Sequence, residues 1–212
     1  MDAGVIPVKA LTRANSRLAG SFDESERVEL ARALLLDCVE LCKSAESLSW
    51  TFVSDDPEVL EVVTASGLRA LREGSSGLND ALRQGVRDAL KRDAGSVTIL
   101  PVDIPLTWRG DIDDLLDTGA TSDVVVVPSG RDGGTNALYM SPPDLIEPHF
   151  GPDSLKAHIA AADERGYRCS VLALPRVSLD IDTMEDVESF LQWPGRRPNN
   201  TSAVLERLTA PA

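Results

Sequence analysis

Apolar residues recur in two rhythms along this chain, and the rhythms take turns. Short runs at 4–8 (GVIPV), 49–54 (SWTFVS), 96–100 (SVTIL), 123–128 (DVVVVP) and 137–140 (ALYM) read as strands, as do 67–73 and 167–174. The intervening stretches show helical spacing. Val28, Ala31, Leu35, Cys38, Val39 and Cys42 share one face of a helix predicted over 24–43. Leu78, Ala81, Leu82, Val86 and Leu90 do the same over 78–91, and shorter helices are predicted over 59–65, 111–117 and 153–165. A last helix, TMEDVESFLQW, starts with Thr183 as its N-cap.

Strands alternating with helices predict an α/β sheet, mostly parallel. No repeat of 20–50 residues and no long linker divides the chain, so residues 1–193 read as a single domain. Residues 194–212 read as a loop and short helix, a tail to which the sequence lends no role.

Composition narrows the class. With 42% hydrophobic and 26% charged residues among 212, the chain is globular in character and long enough to bury its own core. A formal net charge of -13 argues against a general nucleic-acid binder, which needs a basic face to displace counterions. It does not exclude a nucleotide held by a few lysines and arginines or by a metal. No run approaches eighteen apolar residues and no signal-like N-terminus is present, so the expectation is a cytoplasmic protein without a membrane partner. Cys38, Cys42 and Cys169 read as buried small hydrophobes.

In open α/β sheets ligands collect beyond the carboxyl ends of the strands, so the polar residues found there are the candidates. Lys9, Arg13 and Arg17 follow the first strand; Asp55 and Asp56 the second; a glycine loop from Gly74 to Gly77, then Asn79, the third. Asp103 follows the fourth, inside VTILPVDIPL, fenced by Pro101 and Pro105. Residues 131–136 (RDGGTN) follow the fifth, and VSLDIDT contributes Asp180 and Asp182, on one face if extended.

Each has a plainer reading: solvated loop charges for Lys9 and Arg17, a turn for Gly133-Gly134, a helix N-terminus for Asp182. Asp103 is harder to explain structurally, because a carboxylate ending a core strand needs a partner. The set offers cations for phosphates and carboxylates for a hard divalent metal. His149 and His158 are the only histidines, and no nucleophile–histidine arrangement is visible. The chemistry indicated is Mg²⁺-dependent transfer among phosphates; a glycosidase-like carboxylate pair is the lesser alternative.

The segments VIPVKALTRANSRLAG, SSGLNDAL, ILPVDIPL, GGTNALYMSPP, HFGPDSLKAH and LDIDTMEDV, in this order over about 5–191, resemble the guanylyltransferases of deazaflavin coenzyme F-420 biosynthesis. The resemblance implies a GT-A-like nucleotidyltransferase fold with a mixed, mostly parallel sheet flanked by helices. It implies joining GTP to a three-carbon phospho-acid with release of pyrophosphate. The acid is phosphoenolpyruvate, the acceptor favoured here, or else 2-phospho-L-lactate or 3-phospho-D-glycerate.

Carried onto this chain, the pattern puts Lys9 and Arg17 on the triphosphate and Gly77 with Asn79 near the nucleoside. Asp103, Asp180 and Asp182 become the Mg²⁺ ligands, while Thr135, Gly151 and Ser154 hold the acid. Family habit also implies a homodimer. Two departures stand out: Val102 where alanine is common, and Asp132, a negative charge beside the acid-binding loop. The rivals are a molybdopterin guanylyltransferase or cytidylyltransferase, which carry a glycine-rich loop where this chain has PVKALTRANSRL. A sugar-nucleotide glycosyltransferase would carry a DxD-type motif, and a non-catalytic nucleotide-binding module is the alternative from another class.

Overall fold

The computed structural model describes residues 1–74, 77–131 and 133–210; Ser75, Ser76 and Asp132, which include the charge noted beside the acid-binding loop, lie outside the described residues. The strands are β1 (Asp2–Pro7), β2 (Leu48–Ser54), β3 (Arg69–Arg72), β4 (Ser96–Ile99), β5 (Val124–Pro128), β6 (Thr135–Met140) and β7 (Cys169–Val171). They form one sheet in the order β3-β2-β1-β4-β6-β5-β7. β6 runs antiparallel to both β4 and β5, and every other pair is parallel. The helices are α1 (Glu24–Ser44), α2 (Pro57–Ala65), α3 (Leu78–Lys91), α4 (Arg109–Gly119), α5 (Ser154–Asp163), α6 (Met184–Leu191) and α7 (Asn200–Leu208).

Strand alternation divides the core into two layers. On β1, Ala3 and Val5 pack with Ala81, Leu82 and Val86 of α3 and Ala162 of α5. Ile6 and Val8 face the other way, toward Leu35 and Val39 of α1, Val59 and Val63 of α2, and Ile112 and Leu115 of α4. A third cluster joins Leu30 and Leu34 of α1 to Val187 and Phe190 of α6 and Leu205 of α7. The segment without a role in sequence is thus built into the packing. The Asp37 carboxylate accepts the N–H groups of Asn200 and Thr201 (2.9 and 2.8 Å), an anion where the α7 dipole favours one.

Helix starts follow from local chemistry. Asp23 and Glu26 form a reciprocal capping box at α1, at 2.8 and 2.9 Å. Asp56 accepts from Glu58 N–H at 2.9 Å, with Pro57 at the first position of α2. Thr183 is the N-cap of α6, as its sequence predicts, and Asp186 reaches back to its N–H at 2.7 Å.

Three expectations are modified. The strand predicted over 167–174 shortens to Cys169–Val171, an edge element whose Val171 is largely exposed. Cys169 is correspondingly half-buried, while Cys38 and Cys42 are buried. On α3 the buried face is Ala81, Leu82, Gly85, Val86 and Ala89, leaving Leu78 and Leu90 partly exposed. Gly85 lets that helix approach β1: a Cβ there would stand 2.4 Å from Val5 Cγ1.

Candidate active site

After β1 the chain moves to β2 and β3 on one side, then returns to β4 on the other. A crevice therefore opens beyond the carboxyl ends of β1 and β4, the position where open α/β sheets place their ligands. A cavity of about 330 Å³ occupies it, lined among others by Lys9, Arg17, Leu78, Asp103 and Asp182. A smaller compartment of about 150 Å³ shares Lys9, Arg13 and Leu78 with it and is closed by Asp55, Glu73 and Gly77. Another hollow of about 340 Å³, beside Trp108 and Arg197, is lined by none of the candidate site residues, though Pro105 reaches it.

Asp103 has its partners across a backbone contact. Ile181 N–H donates to Asp103 C=O at 2.9 Å, which lays the 180–182 segment beside the end of β4. Ile181 is fully buried in the α1–α6–α7 cluster, so extended alternation turns Asp180 and Asp182 away from it together. One Asp103 carboxylate oxygen is buried without a hydrogen-bond partner among the described residues. Its pKa rises from 3.8 to about 7, first because burial disfavours the charge, then because Asp180 and Asp182 repel it; Lys9 offsets this in part.

Arginines already hold the other two carboxylates. Arg17 bonds Asp182 at 2.5 Å, while Arg131 reaches Asp180 and Asp182 (3.3 Å each) and Asp186 (2.7 Å). Asn136, whose side chain donates to Asp180 Oδ1 and to Val177 C=O at 3.0 Å each, fixes Asp180 from behind. As arranged, no three Asp, Glu, His or Cys side chains among the described residues are gathered closely enough to hold a metal. A metal would share Asp180 and Asp182 with, or take them from, Arg131 and Arg17. Lys9 forms no ion pair with another described residue, and Arg17 is committed to Asp182 instead of standing free for a triphosphate.

Thr135, Gly151 and Ser154 come together, but outside this cavity's lining. Leu155 N–H donates to Gly133 C=O at 3.0 Å, joining the loop before β6 to the start of α5. Thr135 Oγ1 pairs with His158 Nδ1 at 3.0 Å, and His158 Nε2 accepts His149 N–H at 3.0 Å. That acceptor role requires neutral imidazole with its proton on Nδ1, so Thr135 accepts from it. Burial above all, with His149 nearby, lowers the His158 pKa to about 4. Ser154 is fully buried and its hydroxyl has no partner among the described residues. Gly151, at φ +131°, sits in a backbone region that favours glycine. α5 starts at Asp153 without a side-chain cap; backbone carbonyls take its first two N–H groups instead, Gly151 C=O that of Ser154 (3.2 Å) and Gly133 C=O that of Leu155. Thr135 and Asn136 are consecutive and point to opposite faces of β6; the strand thereby connects this pocket to the carboxylate site.

Gly77 borders the smaller compartment, but Asn79 is committed elsewhere: it accepts Phe150 N–H (2.9 Å) and donates to Phe150 C=O (3.4 Å). It ties α3 to the loop carrying Gly151. Arg131, Asn136, Asp186 and Glu73 acquire roles that sequence reading does not assign. The signal for the first two lay in the RDGGTN stretch after β5; Asp186 and Glu73 had no such marker, since each is one acidic residue among many.

Comparison with known proteins decides the family. A family model described as "Guanylyl transferase CofC like" matches residues 3–200. The chain belongs to this CofC-like guanylyl transferase family. Similar family proteins include a phosphoenolpyruvate guanylyltransferase of Rubrobacter xylanophilus, 38% identical, covering 86% of this chain and 90% of that protein. A 2-phospho-L-lactate guanylyltransferase of Methanothermobacter thermautotrophicus is 37% identical, covering 88% and 82%. A 3-phospho-D-glycerate guanylyltransferase of Phenylobacterium zucineum is 33% identical, covering 98% and 97%.

The CofC-like fold also extends to solved structures. A protein described as a nucleotide-diphospho-sugar transferase from Desulfovibrio desulfuricans superposes with a TM-score of 0.80 at 15% identity, covering 97% and 94%. A cytidylyltransferase from Leptospira borgpetersenii gives 0.60 at 14%, covering 98% and 93%. The expected nucleotidyltransferase fold, a mixed and mostly parallel sheet flanked by helices, is the one observed. Among the described residues, no helix is long and apolar enough to cross a membrane.

Proposed function

We propose that this chain transfers GMP from GTP to the phosphate of phosphoenolpyruvate and releases pyrophosphate, as a step of coenzyme F-420 assembly. The observation that carries this is Asp103: a buried carboxylate oxygen, unpartnered among the described residues and facing two further carboxylates, in the cavity that also holds Lys9. Phosphoenolpyruvate is chosen over 2-phospho-L-lactate and 3-phospho-D-glycerate on the name of the Rubrobacter relative.

The donor set suits a hard divalent cation. Asp103, Asp180 and Asp182 would hold Mg²⁺, whose charge would offset the burial and carboxylate repulsion that raise the Asp103 pKa. Bound there, Mg²⁺ supplies positive charge against the phosphate oxygens. The reacting group needs no base: a phosphate monoester has a second pKa near ~6 and is largely anionic at neutral pH. One of its oxygens attacks the α-phosphorus, the bond to the bridging α–β oxygen breaks, and pyrophosphate leaves carrying that electron pair. Lys9 offsets charge on the departing group, joined by Arg17 once its bond to Asp182 is exchanged for the triphosphate. Beside the junction of the loop before β6 and the start of α5, the buried Ser154 hydroxyl, unpaired among the described residues, is the group that meets the acid.

The test is pyrophosphate release with GTP and Mg²⁺, offering each of the three acids separately. Release with phosphoenolpyruvate alone is the expected result. Release with another acid alone reassigns the acceptor, and no release with any removes the transfer reading in favour of a nucleotide-binding module.

A further inference from the structure

The smaller compartment of the cleft contains a carboxylate that the transfer chemistry does not use. Glu73 follows the last residue of β3 and is fixed from both sides. Its N–H donates to Ser54 C=O at 2.8 Å, and its Oε1 accepts Gly77 N–H at 3.1 Å. It is half-buried beside Pro7, Val8 and Leu78. Arg13, whose charge acts on it, is ion-paired with Asp55. Burial is the main cause raising the Glu73 pKa, with Asp55 and Asp80 adding to it; the Gly77 bond and the Arg13 charge oppose it. This is a half-buried carboxylate in no ion pair with another described residue, at one end of the cleft. The phosphate-side residues Arg17, Asp103 and Asp182 line the other compartment, and Lys9 stands where the two meet.

We propose that Glu73 selects the base of the nucleotide by accepting the N1–H and 2-amino N–H of guanine. The inference rests on the guanylyl-transfer reading for the orientation of the nucleotide, with phosphates toward Asp103. Guanine presents two adjacent N–H donors along one edge, the pattern a carboxylate accepts. Adenine and cytosine place a ring-nitrogen acceptor beside their amino group, and uracil flanks its single N–H with carbonyls. Each of these alternatives directs an acceptor at Glu73. Charge-assisted bonds of this kind are among the stronger ones, and a site built on them rejects an analogue lacking the donor.

Inosine triphosphate, which lacks only the 2-amino group, is the discriminating probe. Equilibrium binding and steady-state pyrophosphate release are measured with GTP and with inosine triphosphate, on the intact chain and on Glu73→Gln. Glutamine keeps an oxygen to accept Gly77 N–H, so the loop retains its anchor. The expected result is a preference for GTP in the parent chain that shrinks roughly 10- to 100-fold in the variant, with the KM of the acid unchanged. Equal binding of the two nucleotides by the parent overturns the proposal while leaving guanylyl transfer intact. A parallel loss for both nucleotides in the variant also overturns it, because that is the mark of a structural residue. A parent that prefers GTP in binding, loses the preference in Glu73→Gln and yet turns over no acid sinks the transfer reading and sustains Glu73.

Discussion

Replacing Asp103 by asparagine should stabilise the metal-free protein at alkaline pH while abolishing turnover. The Asp103 pKa is 3.8 in a solvated chain and about 7 in the folded one. The folded state therefore holds a proton that the unfolded state has lost between these values, and stability falls as pH rises through that window. The full difference corresponds to about 4 kcal/mol above pH 7, at about 1.4 kcal/mol per pKa unit. Below pH 4 the acid is protonated in both states and the penalty vanishes. An asparagine side chain is neutral throughout, so Asp103→Asn removes the penalty without adding a charge.

His158 works in the opposite direction. Its pKa of about 4 lies below the usual 6.5, so the folded state loses stability as pH falls from 6.5 toward 4. The two slopes partly cancel in the parent chain, which is why the comparison must be made as a difference between variant and parent. Urea unfolding in EDTA, at pH 4.5 and pH 8, gives that difference directly. The variant should gain on the order of 2–4 kcal/mol relative to the parent between the two pH values. Added Mg²⁺ should raise the stability of the parent at pH 8 and leave the variant nearly unmoved. An Asp103→Asn protein that is no more stable than the parent at pH 8 would refute the account of Asp103 as an unpaired carboxylate. Wild-type rates at saturating Mg²⁺ would remove it from the chemistry.

Ser154→Ala deletes a buried hydroxyl that has no partner among the described residues, so thermal stability should hold or rise slightly while the KM of the acid climbs well beyond that of GTP; equal rises would move Ser154 out of the acid site. Asn136→Ala leaves Asp180 without its amide donor, and Mg²⁺ affinity, read by titrating the metal against activity and melting temperature, should fall roughly 10- to 100-fold. Unchanged metal dependence would make Asn136 a mere link to Val177. Gly85→Ala forces a methyl into Val5 and should cost about 1–3 kcal/mol in denaturant unfolding; an unchanged midpoint would show that α3 can shift outward freely.

What the chain determines by itself is local. Period-two and period-3.6 patterning predicts α1, α3, β1, β2 and β5 because those elements bury one face or lie inside the sheet, and burial writes itself into residue type. The carboxyl-end rule then singles out Lys9 and Asp103, which need no more than a strand's direction to be noticed. Where a pattern is weak, tertiary context decides. β7 shortens because an edge strand has one neighbour. α7 joins the core because Leu205 meets α1, and Asp37 seals that contact by bonding Thr201, 164 residues further along the chain.

The site divides the same way. Asp180 and Asp182 can be suspected from sequence, but only the bond between Ile181 and Asp103 puts them beside a third carboxylate. That Arg17 and Arg131 neutralise them, that Asn79 is spent on Phe150, and that Thr135 and Asn136 serve opposite faces of one strand are facts of folding. Residue type reports which chemistry is available; a charge acquires its partner, and a carboxylate its pKa, only from what the fold sets within a few ångströms of it.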